Sequence, residues 1–234
     1  MFLTDYFNKQ NNNITITRKQ ASDFAKNVAG DVNPIHDEDA KRFCVPGDLL
    51  FSLVLNEYGL SQHMQFRFEG MVADGVPLHF REASDELIRV EDEQGKAYLQ
   101  ATRGGEKRYC DKQITSFIRS YVAFSGLNFT HAIVPLMQEH QLMINPARPL
   151  VIYESMGFEL SSLDFEDVEL QLVDKVMEVD GKRGDVTLTF KLMSGDTQVG
   201  TGCKTLVMSG LRPIDPQAID EMIAEYSQRA ANIG

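Results

Sequence analysis

The spacing of apolar residues divides the start of the chain into recognisable elements. A short strand at residues 14–16 is followed by Thr17 and Gln20, a capping box that predicts the start of a helix. The helix is predicted to end at Gly30, and Asn33-Pro34 places the next segment in a loop. The apolar residues of this helix share one face: Ala21, Phe24, Ala25 and Val28.

The segment that begins at Pro46-Gly47 is apolar on nearly every face. Its apolar residues are Leu49, Leu50, Phe51, Leu53, Val54, Leu55 and Tyr58. A helix that is apolar all round must be buried all round, and about a dozen residues are too few to cross a bilayer. We therefore expect a sheet that curls around this helix.

Alternating apolar and polar residues then predict antiparallel strands, followed by a second set of similar elements. A helix over 114–126, a second central helix over about 134–143 and a last helix over about 215–231 are expected. The turns at Asp180-Gly181 and Ser194-Gly195 predict hairpins. The expected strands cover residues 63–72, 76–82, 86–91, 97–102, 151–158, 168–177, 185–193 and 200–208.

The order of helix, central helix and strands therefore occurs twice. The segment around Gly126 is a weak echo of the segment around Gly30, which suggests an internal duplication. We expect an α+β fold with one repeat over residues 1–110, a second over 111–212 and a C-terminal helix over 213–234.

Composition and charge narrow the possible partners. Of the 234 residues, 43% are hydrophobic and 24% are charged, which is typical of a globular protein. The net charge of −11 makes binding to nucleic acid unfavourable. No apolar run is long enough for a membrane helix, and no secretory signal is visible, so the expected location is cytoplasmic.

Cysteine and histidine spacing predicts neither disulfides nor metal. The three cysteines are far apart and form no C-x-x-C pair. The five histidines show no H-E-x-x-H pattern, so no metal site is expected.

The segment Gly30–His36, which reads GDVNPIH, carries the candidate chemistry. A turn at Asn33-Pro34 can bring Asp31 and His36 together, and a carboxylate with an imidazole can share acid and base roles. Asn33 is a candidate to orient the pair. The alternative is structural, because Asp31 can cap a turn and His36 can be a buried histidine.

This motif resembles the MaoC-like enoyl-thioester hydratases of the hot-dog fold, which are (R)-specific and carry an aromatic residue, a small residue and then G-D-x-N-P-x-H. Phe24 lies slightly further upstream than usual, and residues 45–55 are similar to the family's central helix. The resemblance covers residues 14–104 well and residues 114–209 only through the fold pattern. It implies a double hot-dog, with two antiparallel sheets each wrapped around a central helix. The whole chain also resembles a proteobacterial family of unknown function.

The resemblance implies hydration of an enoyl thioester of coenzyme A or a carrier protein, catalysed by Asp31 and His36. The amide of Gly47 is the candidate for holding the thioester oxygen, because the helix N-terminus is positive there. An ionised Asp48 would oppose this role unless its carboxylate pointed to solvent. No cofactor is implied other than coenzyme A as part of the substrate, and a homodimer is possible. The candidate phosphate-binding residues come from the basic stretch over 101–120: Arg103, Lys107, Arg108 and Arg119.

Two other functions stay open. A hot-dog chain can bind an acyl thioester or a protein partner without turnover, and related folds hydrolyse thioesters. In the second repeat Leu127 stands where the first has Asp31, so that repeat is not expected to catalyse the same reaction. His131 there is interpreted as structural.

Overall fold

The computed structural model describes residues 2–147 and 150–233, leaving aside the side chain of Asn128. Residue 1, where the expected first repeat begins, and residue 234, where the expected C-terminal helix ends, lie outside the described residues. Short π-helical segments, Ala25–Ala29 and Phe129–Ile133, extend the first helix and precede the fourth. The α-helices are Arg18–Phe24 (α1), Gly47–Tyr58 (α2), Asp111–Asn128 (α3), Val134–Glu139 (α4) and Pro216–Ala231 (α5).

Ten strands form one antiparallel sheet in the described part of the chain, and two short strands form a separate pair. The large sheet contains Asn8–Gln10 (β1), Asn13–Thr15 (β2), Leu60–Phe68 (β3), Leu78–Ser84 (β4), Leu87–Asp92 (β5), Ala97–Arg108 (β6), Val151–Leu160 (β8), Glu169–Asp180 (β9), Arg183–Ser194 (β10) and Thr197–Ser209 (β11). The pair consists of Leu142–Met143 (β7) and Arg212–Pro213 (β12).

The sheet has two halves with the same internal order. It runs β1-β2-β4-β5-β6-β3-β8-β11-β10-β9, so each half ends in its first long strand, and these two strands meet in the middle. There Met64 pairs with Phe158 and Phe66 with Met156. The predicted double hot-dog, joined edge to edge within one chain, is confirmed.

Helix α2 is buried on all sides, as its composition predicts. Every residue from Asp48 to Leu55 is buried. The ring of Phe51 stacks on that of Tyr121 in α3, with centroids 4.4 Å apart. Both rings belong to the core that lies between the helices and the sheet.

The second central helix was predicted in the wrong place. Residues 134–139 form only a short helix, and residues 142–143 form a strand. The helix that packs on the second half of the sheet is the longer α3. Its Phe117 lies 4.8 Å from Phe158, and its Phe124 lies 5.1 Å from Phe190. The second half thus has one long helix where the first half has a short helix, a loop and a buried helix.

The two segments that echo each other in sequence are in contact. A Cβ atom on Gly126 would lie 2.3 Å from the carbonyl oxygen of Ala29 and 2.7 Å from the backbone of Gly30. Only glycine permits this approach of two backbones. It brings the C-terminal end of α3 against the loop that carries Asp31 and His36.

Candidate active site

Local backbone geometry places Asp31 at the end of a helix. Gly30 has a φ of +66°, which terminates the π-helical segment, and the N–H of Asp31 donates to the carbonyl of Ala25. Three residues later the chain makes a single 3₁₀ turn, Pro34–His36. The turn folds the chain back so that the side chains at positions 31 and 36 face each other, as the motif predicts.

Asp31 and His36 form a partly buried pair. Oδ2 of Asp31 lies 3.7 Å from Nε2 of His36, and the two side chains are 16% and 11% exposed. Nδ1 of His36 lies 2.8 Å from the carbonyl oxygen of Cys44. Because a carbonyl only accepts, Nδ1 carries the hydrogen, which leaves Nε2 as the ring atom that can exchange a proton beside Asp31. At 3.7 Å the two atoms are too far apart for a direct hydrogen bond and have room to share a water molecule.

Asn33 shapes the loop without contacting His36 through its side chain. Its backbone N–H donates to Oδ1 of Asp31 at 2.9 Å, and its side-chain oxygen accepts from the N–H of Ile35. Its Nδ2 donates to the carbonyl of Val151 at 3.4 Å, in the second half. Asn33 therefore orients Asp31 through the backbone and ties the loop to β8.

Gly47 begins α2 beside an aromatic ring, which leaves little space for a side chain at this position. A Cβ atom there would lie 3.0 Å from the ring of Phe68. The first N–H groups of a helix have no partner within the helix, so the start of α2 can donate to an anion. Gly47 lines the same cavity as Asp31 and His36.

Asp48 is not directed to solvent; it is buried against the second half. Ser125 of α3 donates to Oδ1 of Asp48 at 3.0 Å, and Nζ of Lys204 in β11 lies 3.8 Å from the same oxygen. Lys204 also donates to Ser125 Oγ at 2.7 Å and to the carbonyl of Tyr121 at 3.0 Å. The negative charge that we expected to oppose an oxyanion is thus compensated by a lysine.

Burial shifts the pKa values of both charged groups. It raises the pKa of Asp48 to about 6, an effect that Lys204 and the Ser125 hydrogen bond oppose. It lowers the pKa of Lys204 to about 8, an effect that Asp48 opposes. Lys204 is not among the residues expected at the site, although a lysine on the inward face of an alternating strand is a visible signal in the sequence.

A cavity of about 690 Å³ lies beside the pair, within the size range of small-molecule sites. The loop of Asp31 and His36 forms one wall, the start of α2 a second, and the second half a third. Its apolar lining residues include Val32, Leu50, Phe68, Phe129, Ile133, Ile144, Ile152 and Leu206. Such a cavity fits an apolar chain whose reactive end reaches two polar side chains.

The C-terminal helix α5 forms a further wall that was not anticipated. Ala218, Met222 and Tyr226 line the cavity from this helix, together with Glu221, Glu225 and Arg229. The sequence predicted the helix within one residue of its start but offered no signal for its position.

The four basic residues proposed for phosphate do not line the cavity. Arg103 is buried and binds Glu82 and the carbonyls of Asp85 and Tyr58. Lys107 donates to the carbonyl of Asp85. Arg108 is exposed at the end of β6, and Arg119 stacks over the ring of Phe2.

Cys44 is a buried cavity residue without thiolate character. Burial, reinforced by Asp31, raises the pKa of its thiol to about 12. All three cysteines are free. The residues that the structure describes contain no group of three or more His, Cys, Asp or Glu side chains that could hold a metal ion. Across those same residues, no helix is both long enough and apolar enough to cross a membrane.

Similar solved structures include hot-dog proteins of different activities. A "MaoC-like dehydratase" is 11% identical, with 88% of this chain and 98% of that chain covered and a TM-score of 0.45. The acyl-CoA thioesterase II TesB2 from Mycobacterium marinum is 9% identical, with 92% and 98% covered and a TM-score of 0.43. A protein of unknown function with a hot dog fold from Alicyclobacillus acidocaldarius is 7% identical, with 92% and 99% covered and a TM-score of 0.45.

Identities and TM-scores this low support no conclusion about activity. A comparison with curated protein sequences finds no match. The model of one family matches residues 1–217, which is most of the chain. The chain therefore belongs to the family described as "Protein of unknown function (DUF3581)".

Proposed function

We propose that this protein hydrates an enoyl thioester, or dehydrates the corresponding 3-hydroxyacyl thioester, in the cavity beside Asp31 and His36. One observation supports this most strongly: the 3.7 Å separation of Asp31 Oδ2 and His36 Nε2 at the wall of a largely apolar cavity. Adding water across a conjugated double bond needs a base for the water and an acid for the α carbon. These two side chains supply both groups from one side of the cavity.

The hydrogen bonds around the pair define the role of each residue. The Cys44 carbonyl holds His36 in the tautomer whose Nε2 can take a proton. The backbone N–H of Asn33 fixes one oxygen of Asp31, which leaves the other for water. A water between Oδ2 and Nε2 would lose a proton to the pair as its oxygen adds to the β carbon. The pair would then return a proton to the α carbon.

The start of α2 is the proposed site for the thioester oxygen. The Gly47 amide lies at the positive end of a buried helix, where donors stabilise developing negative charge most strongly. The ion pair of Asp48 with Lys204 removes the electrostatic conflict at this position. A direct hydrogen bond from the enzyme to a developing oxyanion contributes about 3–4 kcal/mol to related reactions.

The cavity accounts for the acyl and thioester part of the substrate. Because the four basic residues do not line it, they give no reason to choose coenzyme A over a carrier protein. Comparing enoyl thioesters of coenzyme A with those of pantetheine would show whether the nucleotide contributes to KM.

Kinetics with Asp31→Asn and His36→Ala test the proposal. With short, medium and long enoyl thioesters, each variant should lose about 10²–10⁴-fold in kcat, followed as loss of the conjugated enoyl absorbance. The kcat of the double variant should be little lower than that of the less active single variant, because the two groups act as one unit. Binding of a saturated acyl thioester, measured by calorimetry, should change little.

His131→Ala is the matched control, because His131 is exposed and does not line the cavity. It should keep wild-type rates. If the wild-type protein binds saturated thioesters but turns over none of the enoyl substrates, the protein is a binding module. If it releases free thiol from saturated acyl thioesters instead, it is a thioesterase.

A further inference from the structure

The backbone of Val32, between Asp31 and Asn33, is held by the C-terminal helix. Nε of Arg229 in α5 donates to the Val32 carbonyl at 3.0 Å. The hydroxyl of Tyr226, one turn earlier, faces the backbone N–H of the same residue. Both polar backbone groups of Val32, which belong to adjacent peptide units, thus meet side chains almost 200 positions away.

Further contacts fix α5 to both halves of the protein. The Arg229 guanidinium binds both carboxylate oxygens of Asp37, at 2.7 and 2.8 Å, just after the motif. The Tyr226 hydroxyl donates to the Gly126 carbonyl at 2.8 Å, and its ring stacks on Phe129 with centroids 4.5 Å apart. The helix therefore bridges the loop of the first half and the end of α3 in the second.

The helix is attached through these polar contacts and also through an apolar face that packs, partly buried, against the core. Ile219 is its only fully buried residue among those described. Burial, and secondly the Asp31 carboxylate, raise the pKa of Tyr226 well above its ordinary value, so its hydroxyl remains a donor. Because α5 also lines the cavity, its placement affects both the ligand space and the pair beside it.

We infer that α5 is part of the active site, with Tyr226 and Arg229 as positioning residues that hold the Asp31–His36 loop through Val32. This inference rests on the proposed function for its kinetic consequence only. Misplacing a catalytic group by about 1 Å can lower a rate about 10²-fold, so a loop that is free to shift is enough to impair the reaction. The family model ends at residue 217, so all but the first two residues of α5 lie beyond the matched part.

Two variants of the full chain remove these contacts selectively. Tyr226→Phe keeps the ring on Phe129 and deletes the hydroxyl, and Arg229→Gln removes the guanidinium. Tyr109→Phe and Arg212→Gln make the same changes at exposed positions that do not line the cavity. The first readout is amide hydrogen exchange across residues 30–37, compared with exchange in β10.

Each variant removes more than one polar contact and should speed exchange at residues 30–37 at least about tenfold, the effect of losing a single hydrogen bond, with β10 unchanged. The controls should match the wild type. In the enoyl hydration assay kcat should fall at least about tenfold, with KM changing less than about threefold.

The exchange measurement decides the inference even if no enoyl substrate is turned over, because it needs no substrate. Unchanged exchange at residues 30–37 in both variants would overturn it. An equal rise throughout the chain would also overturn it, because α5 would then serve stability alone. Inactive wild-type protein with faster loop exchange in the variants would refute the hydratase but support the positioning role.

Discussion

The two halves of this protein share a sheet pattern but contribute different parts of the site. Each half has four long strands in the same order and a helix packed on them. The first half places Asp31, His36 and the start of α2 beside the cavity. The second supplies Ser125 and Lys204, which surround Asp48, and the α3 end to which α5 is attached.

The difference lies in the segment between the helix and the first long strand. In the first half a loop separates α1 from α2, and the loop carries Asp31 and His36, the proposed acid and base. In the second half α3 continues as an almost unbroken helical segment to residue 139, so no such loop exists among its described residues. Leu127 is 55% exposed there. The second half therefore lines the cavity beside Asp31 and His36 and, among its described residues, does not repeat the loop that carries them.

The largest change in stability is expected at the contact between the halves. Lys204→Met should lower the free energy of unfolding by about 3–5 kcal/mol at pH 8, because Asp48 would stay buried without its partner. At pH 5 the loss should be smaller, because Asp48 can take up a proton. Chemical denaturation at both pH values measures the difference.

The double variant Asp48→Asn with Lys204→Met is the control for that loss. Replacing both charges together is commonly neutral or stabilising, so the double variant should recover most of the stability that Lys204→Met loses. A double variant as unstable as the single one would contradict the ion pair as the cause.

The same buried pair should also make the unfolding free energy depend on pH, with a smaller effect than that of Lys204→Met. The pKa of Asp48 is raised to about 6, so the folded state holds that proton more tightly, and stability falls as the pH rises from about 4 to about 6. The pKa of Lys204 is lowered to about 8, so stability rises as the pH passes from about 8 to about 10.5.

The contribution of this pair is measured by subtracting the unfolding free energy of the Asp48→Asn, Lys204→Met double variant from that of the wild type. We expect this difference to be lowest between about pH 6 and pH 8. Its change should not exceed about 3 kcal/mol over the acidic flank and about 3.5 kcal/mol over the basic flank. A flat difference across the whole range would mean that the two groups do not titrate as the buried pair predicts.

Substitutions of the N-cap residue should change the unfolding free energy by up to about 1 kcal/mol, with a loss in the first half and a gain in the second. Thr17 caps α1 with a complete capping box, and Thr17→Ala should cost about 1 kcal/mol of unfolding free energy. Cys110 at the start of α3 makes no side-chain capping bond, so Cys110→Ser should add about 0.5–1 kcal/mol. Cys110→Ala is the control and should leave stability near the wild type.

The smallest effect is expected when the missing acid is restored to the second half. Leu127→Asp should change stability by less than about 0.5 kcal/mol, because the position is exposed. It should also create no second activity when combined with Asp31→Asn, since neither residue 127 nor the nearby His131 lines the cavity. If the Leu127→Asp, Asp31→Asn variant regained hydratase activity, the two halves would be more alike than their backbones indicate.

Local patterns determined much of the first half. The capping box at Thr17 and the stop at Gly30 depend on neighbouring residues, and the structure shows both. The composition of α2 predicted its burial, because a helix without a polar face has no stable place at a surface. The approach of Asp31 and His36 also followed from local chemistry, since a proline turn spans only a few residues.

Long-range packing decided what these patterns could not. Residues 111–139 contain apolar positions throughout, so periodicity alone could not show which part would pack on the second half of the sheet. The basic stretch over 101–120 offers candidate phosphate-binding residues, yet Arg103 is occupied by Glu82 and by backbone carbonyls.

The sequence by itself determined the repeated α+β fold, the buried helix α2 and the loop that pairs Asp31 with His36. Each of these depends on interactions within a few residues or on a regular alternation along one strand. Only the tertiary structure showed that Lys204 compensates Asp48 and that Tyr226 and Arg229 hold Val32. Those contacts join residues 156 to 197 positions apart, and a contact at that separation forms only when the whole sheet and the C-terminal helix are in place.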